Sequence, residues 1–270
     1  MYVKSTYSTN TLLKELIAKG EWPTDEIYLR AGYQTAGRGQ AGNSWESEAD
    51  KNLLCSIVIS HQHSAFSHQP FYLNVAVSVA MHRLVYTLSV NAVHGLYSIR
   101  PQAGLTIKWP NDIYWEDKKI AGILIENAII GKEIKYSIAG IGLNVNQQEW
   151  HSDAPNPVSL RQITGREYEV DELMRALVRD IYKVLDEPAS AVWDYYRAHL
   201  YRREGFWPFV EREVSTAPTM NADTAFSRQL SAISFMARIE DILPTGEIVL
   251  RDQQNQQRTY HFKQVRYVVN

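Results

Sequence analysis

"LTIKWPNDIYWEDKKIAGILIENAIIGKEIKYSIAGIGLNVNQ", residues 105–147, decides the architecture. Apolar runs of strand length alternate in it with charged turns, so it predicts several strands in succession. Pro110, which cannot donate to a ladder, is confined to a strand end or a bulge. If 106–109 are extended, Ile107 and Trp109 face one way and Lys108 the other. In "IAGIGLNVN", 138–146, the same alternation puts Ile141, Leu143 and Val145 on one face and Gly140, Gly142, Asn144 and Asn146 on the opposite one. A strand that is apolar behind and bare in front has two readings. Either a ligand or backbone presses against the glycines, or glycine avoids a clash where strands cross. "KKIAGILIE", 118–126, repeats the combination through Lys119 and Gly122.

Outward from this segment, "STYSTNTLLKELIAKG" (5–20) reads as a helix capped by Ser8, Thr9 or Asn10. Leu12, Leu13, Leu16 and Ile17 share one side, and Gly20 supplies the stop. "EIYLRAGYQ" (26–34) has strand character, and "NLLCSIVIS" (52–60) is a continuous apolar run that predicts a strand buried on both faces. Between them, "AGYQTAGRGQAGNSWESE" (31–48) is irregular. Its Gly32, Gly37, Gly39 and Gly42 allow positive φ and a close approach of backbone N–H groups to an anion, and Arg38 adds a bidentate phosphate donor. It is neither a Walker A loop nor a dinucleotide fingerprint, because a strand rather than a helix follows. The bland alternative is a flexible surface loop with a stray arginine. Lys108 likewise has two readings, a cation neutralising phosphate charge during nucleotidyl transfer or a snorkelling surface residue.

Further along, 69 to about 88 predicts a core helix, and 91–105 a Gly/Pro-punctuated connection. Leu173, Leu177, Ile181 and Leu185 repeat at intervals of four in a helix closed by Pro188, and another runs from Ala189 to about Arg203. Residues 206–225 read as irregular, and the chain from about 230 to 269 as short strands forming a small barrel. Helix and mixed strands, then helices, then a strand module give an α+β class and exclude a doubly wound sheet.

Composition sets further bounds. The 270 residues carry 28 basic and 30 acidic side chains, which gives no global field for nucleic acid. Cys55, the lone cysteine, excludes an intrachain disulfide and a cysteine cage for zinc, and its apolar strand predicts core packing. His61, His63 and His68 are dense enough to consider as ligands, yet "HQHSAFSH" reads as a polar loop; no metal site is expected. No stretch is expected to span a membrane, and the first 30 residues lack a leader pattern, so a reducing, cytoplasmic setting is expected.

"STN" at 8–10, "YQTAGRGQAGNSW" at 33–45, "KWPNDI" at 108–113, "KIAGILIE" at 119–126 and "IAGIGLNVN" at 138–146 together resemble the catalytic domain of biotin–protein ligases, in the family's order. The C-terminal module is similar to that family's small SH3-like domain. The resemblance implies a mixed-sheet catalytic domain over 1–215 and an SH3-like barrel over 216–270. It implies a biotin–[acetyl-CoA-carboxylase] ligase, which uses ATP and Mg²⁺ to convert biotin to biotinyl-5′-AMP. The activated vitamin then passes to one lysine of a biotin carboxyl carrier domain. Lys108 and Arg38 take the catalytic roles. Ser8, Thr9, Asn10, Gln34, Gly37, Gly39, Gly122, Gly140 and Gly142 join them around biotin, and Gln40, Trp45, Asn111 and Asn144 around the nucleotide. Gln40 and Asn43 stand where the family's loop commonly has arginines, which bears on how tightly the adenylate is kept. The "STN" signature begins at residue 8, so the resemblance implies the monofunctional form without a winged-helix DNA-binding domain. No nucleic-acid or membrane partner is expected, and a homodimer is left open. The alternative of similar fold is a lipoate or octanoate ligase or transferase.

Overall fold

Seven strands build the first sheet: β1 (Tyr2–Thr6), β2 (Tyr28–Gln34), β3 (Leu53–Ser60), β4 (Leu105–Lys108), β5 (Asp112–Trp115), β6 (Lys118–Ile130) and β7 (Glu133–Leu143). The computed structural model describes residues 1–23, 27–60, 71–93, 104–131, 133–152, 156–211 and 233–268. The strand order is β1-β2-β3-β7-β6-β5-β4. β1 and β2 run parallel, and every other neighbouring pair is antiparallel. The quoted segment is therefore a four-strand meander, and Pro110 lies in the turn between β4 and β5.

The two faces differ as the alternation requires. Leu53, Cys55 and Ile57 of β3, Ala139, Ile141 and Leu143 of β7, Ala121 and Ile123 of β6, and Ile107 and Ile113 point to one side and are buried. Helix α2 (Tyr72–Val93) covers that side over β4, β5 and β6. Beyond it lie α3 (Leu160–Thr164), α4 (Val170–Leu185) and α5 (Ala189–Ala198). On α4, Leu173, Leu177, Ile181 and Leu185 form the buried stripe read from the sequence. Tyr72–Val90 of α2 is long and apolar enough, by composition, to cross a membrane, contrary to the expectation that no stretch is. Val75, Val77, Val79 and Ala80 are all fully buried here, so its apolar character serves packing on more than one side.

Helix α1 (Thr9–Lys19) lies on the opposite face. Leu12, Leu13, Leu16 and Ile17 close over Leu29, Val58, Tyr136 and Ile138. Gly20 ends the helix at φ 71°, its N–H and that of Glu21 capping the carbonyls of Ile17 and Leu16. Ser8 is the N-cap residue but contributes no side-chain cap bond.

The chain divides into two compact units, Met1–Tyr201 and Arg202–Asn270. This lies earlier than the boundary expected at 215/216, because 207–211 is not irregular. It forms β8 (Trp207–Glu211), which pairs with β9 (Ile233–Ile242) and β12 (Val265–Tyr267). With β10 (Ile248–Asp252) and β11 (Gln257–Tyr260), the order is β11-β10-β9-β8-β12, all antiparallel. This sheet fits an SH3-like module. Its core includes Phe209, Ile239, Ile248 and Leu250, with Phe209 packed on Tyr267 at 4.9 Å between ring centres. Helix α5 stops at Ala198 rather than near Arg203, since Leu200 joins Ile107 in a parallel bridge along the outer edge of β4. The histidines at 61, 63 and 68, most of the 91–105 connection and residues 212–225 fall outside the described residues.

Candidate active site

The bare face of the sheet opens beside α1 into a cleft of about 460 Å³, mouth included. Its floor follows from register. Ser56, Gly140 and Leu124 form one row across β3, β7 and β6, and Gly142, Gly122 and Asp112 a second row across β7, β6 and β5. Of the two readings of the glycine strand, close approach is the one the packing takes. A Cβ on Gly142 would overlap the Trp45 indole, one on Gly140 would overlap the Asn10 amide, and one on Gly122 would come within 3.0 Å of Trp45.

The glycine loop is a short hairpin. Trp45 N–H donates to Gly37 O at 2.9 Å, Arg38 and Ser44 form a bridge, and Gly39 N–H donates to Asn43 O at 2.6 Å. A single 3₁₀ turn, Gln40–Gly42, makes the tip. Of the four loop glycines only Gly42 adopts positive φ, 89°. Gly37 and Gly39 are needed for space instead, since a Cβ would press into Trp45 O or Asn43.

The N-terminal turn of α1 is tied to both ends of this hairpin. Gln34 Oε1 accepts from Thr9 N–H at 2.7 Å and from the Thr9 hydroxyl at 3.1 Å, so it caps the helix from another strand. Ser56 Oγ lies 2.8 Å from Thr9 Oγ1 and 2.5 Å from Asn10 Oδ1. Asn10 Nδ2 then donates to Glu126 at 2.7 Å, and Arg38 Nη2 donates to the same carboxylate at 3.0 Å. A polar chain thus leaves the loop at Gln34, crosses the helix start and returns to the loop at Arg38. Burial disfavours an ionised Glu126, but the Lys14 ammonium and the Asn10 amide outweigh it and hold its carboxyl below the usual range. Two polar atoms of the lining, Gln40 Oε1 and Trp45 Nε1, are buried with no partner. Each unmet group costs about 1–3 kcal/mol, which a polar ligand would recover.

The structure gathers Ser8, Thr9, Asn10, Gln34, Arg38, Gly39, Gln40, Trp45, Gly122, Gly140 and Gly142 around the cleft. Lys108, expected beside the ligand, is not among the residues that line the cleft. The alternation at 107–109 is as read, and Lys108 pairs across the ladder with Asp112. But β4 is the edge strand, and the ammonium turns onto Tyr114, 2.8 Å from its hydroxyl and 4.3 Å from its ring centre. The lysine in the cleft is Lys119, 2.8 Å from Asp112 Oδ1 and 5.6 Å from the Trp45 ring centre. A bulge puts it there: Asp112, Ile113 and Tyr114 pair with Gly122, Ala121 and Lys119, leaving Ile120 over. The extra residue turns Lys119 onto the face of Gly122.

Three further assignments move. Gly37 belongs to the hairpin stem rather than the lining. Asn111 is buried and donates its amide to Ile123 O, bracing the turn before Asp112. Asn144 donates to Val158 O at 3.0 Å and Lys119 O at 3.4 Å, so it fixes the backbone that carries Lys119 without lining the cleft. Asp112 and Glu126 were not singled out from sequence. For Glu126 a signal existed, since Gly122, Leu124 and Glu126 recur at the period of two that marks the cleft face.

Residues 2–144 match the biotin/lipoate A/B protein ligase family. The bifunctional ligase/repressor BirA of Escherichia coli is 26% identical over 209 residues, 76% of this chain and 55% of that protein. The biotin–[acetyl-CoA-carboxylase] ligase of Mycobacterium tuberculosis is 30% identical over 182 residues, 66% of this chain and 61% of that one. The chain thus spans less than two thirds of the length of these relatives. Among solved structures, the biotin protein ligase of Aquifex aeolicus in complex with biotin and ATP superposes with a TM-score of 0.68 at 18% identity, over 99% of this chain and 98% of that one. The enzyme of Leishmania major in complex with biotinyl-5-AMP gives 0.59 at 18%, over 96% and 97%. The similarity to biotin–protein ligases read from five motifs therefore holds across sequence and fold, and with more than half its length matched, the chain belongs to the biotin/lipoate A/B protein ligase family.

Proposed function

We propose that the protein activates biotin with ATP and transfers it to a lysine of a biotin carboxyl carrier domain. The observation that carries this reading is one cleft in which a polar helix start, the Arg38 hairpin and Lys119 meet over a glycine floor. In the first step a biotin carboxylate oxygen bonds to the α-phosphorus of ATP, and pyrophosphate leaves. Arg38 and Lys119 offset the negative charge that gathers when two anions meet. The hydroxyls and amides of Ser8, Thr9, Asn10 and Gln34 supply partners for the neutral ureido group, which would be costly to bury unpaired. In the second step a carrier lysine amine attacks the acyl carbonyl of the mixed anhydride, the acyl–phosphate bond breaks, and AMP departs.

Mg²⁺ would accompany the nucleotide. Asp112 is the one carboxylate among the described residues lining the cleft and is paired with Lys119, and no cluster of three or more metal-ligating side chains occurs among the described residues. The ion would thus sit on phosphate oxygens and water, adding positive charge there. The location we propose is cytoplasmic, in keeping with a single free cysteine, which leaves no intrachain disulfide to call for an oxidising compartment.

Pyrophosphate release measured separately with biotin, lipoate and octanoate tests the substrate. Mass spectrometry of a carrier domain incubated with ATP, Mg²⁺ and biotin tests the transfer. Biotin-dependent release with a single biotinyl adduct is expected. Turnover with lipoate or octanoate alone would overturn the biotin reading in favour of the other branch of the family.

A further inference from the structure

Glu126 holds more positive charge than one carboxylate needs. Lys14 Nζ lies 2.6 Å from Oε1, while Asn10 Nδ2 and Arg38 Nη2 reach Oε2 at 2.7 and 3.0 Å. The acid is the sheltered member, its side chain 20% exposed against 42% for Lys14 and 44% for Arg38. The two cations are not equivalent. Arg38 lines the cleft, whereas Lys14 sits one turn further along α1 and does not. Two cations on one anion also leave a net positive charge at the lip of the cleft, where an anionic ligand would balance it.

This arrangement decides what it costs Arg38 to let go. Were Arg38 the sole cation on Glu126, its departure toward an incoming anion would strand a half-buried carboxylate, and that cost would oppose capture. With Lys14 in place the carboxylate keeps a partner. We propose that Lys14 is a positioning residue: by neutralising Glu126, it frees Arg38 to pass from the protein's carboxylate to the phosphate of the bound acyl-adenylate. This inference rests on the ligase reading above, and the group it concerns is the phosphodiester-like monoanion of that intermediate.

The test is the rate at which biotinyl-5′-adenylate, formed in situ from biotin and ATP, leaves the full-length protein. Wild type, Lys14→Met, Lys14→Arg, Glu126→Gln and the Lys14→Met/Glu126→Gln double variant are compared, with the melting temperature of each. Lys14→Met should release about tenfold faster, and Lys14→Arg at the wild-type rate. Glu126→Gln should release no faster than wild type, because Arg38 then has no competing carboxylate. The double variant should follow Glu126→Gln, although it lacks the same lysine. A merely structural tie between α1 and β6 would lower the melting temperature of both single variants and give no such reversal. Wild-type release from Lys14→Met, faster release from Glu126→Gln, or a double variant as leaky as Lys14→Met would each overturn the inference alone. The Glu126→Gln arm stands even if Lys14→Met does not fold. A wild-type protein that forms no adenylate would overturn the ligase reading, and this inference with it.

Discussion

Replacing Lys119 with Gln keeps the length and polarity of the side chain and removes one positive charge from the cleft. The Lys119 side chain is 30% exposed, and its ammonium lies 2.8 Å from Asp112 Oδ1. At an effective dielectric of ~20, an anion ~4 Å away feels about 4 kcal/mol of attraction. Screening and the opposing charge of Asp112 reduce this, leaving a net loss of roughly 2–3 kcal/mol, or about 30- to 160-fold in the adenylation rate. Biotin-dependent pyrophosphate release in a single turnover at saturating ATP reads it directly. Because the substitution also leaves Asp112 unneutralised, Asp112→Asn in the same chain should recover part of the loss. Lys108→Gln is the control. It gives up a cation–π contact and a hydrogen bond to Tyr114, worth about 1 kcal/mol of stability, and should change adenylation by less than about threefold. Abolished release in Lys108→Gln with near-normal release in Lys119→Gln would refute the assignment of the cleft cation.

Gly142→Ala should displace the Trp45 ring that lies on it and weaken nucleotide and biotin binding by tenfold or more; calorimetry with unchanged affinities would contradict the packing argument. Gln40→Arg returns a cation to the hairpin tip and should slow loss of biotinyl-adenylate, seen as less free intermediate in the medium. His82 is buried, and burial pushes its pKa from 6.5 down to about 4, with the nearby His199 and Arg83 charges adding to the effect and the bond to Leu105 O opposing it. As pH falls from about 6.5 toward 4 the unfolded chain takes up a proton that the folded chain refuses, so stability is complete above about 6.5 and declines below. Up to about 3 kcal/mol is at stake, and denaturant unfolding of wild type and His82→Gln at pH 7, 5.5 and 4.5 should show a shallower decline for the variant.

Much of this fold follows from local alternation. The meander of 105–143 and the two faces of β7 needed only the parity of Ile141 and Leu143 against Gly140 and Gly142. The stop of α1 at Gly20 was equally local. What escaped depends on strand position, a bulge and long-range contacts that composition does not mark. The parity of Lys108 was legible, but its destination is set by Tyr114 and by the edge position of β4. Lys119 reaches the cleft only because Ile120 is left over in the ladder, and no composition signal marks that bulge. Trp207–Glu211 reads as irregular because Pro208 interrupts it, yet the proline sits opposite Met236 in a real ladder. The Glu126 cluster joins residues more than eighty positions apart, a contact that no window along the chain contains.

The hairpin that carries Arg38 is anchored at its stem and brings one tip side chain to the cleft. Trp45 rests on the sheet and Gly37 is wedged against Trp45 O, while the Gln40–Gly42 turn carries the Gln40 side chain into the cleft lining. The hairpin is closed by backbone bonds of Gly39, Gln40 and Asn43, so the side chains at 40 and 43 are where charge can change while the stem stays as it is. Relatives built on the same stem could diverge in how firmly they grip a reactive product through those positions alone.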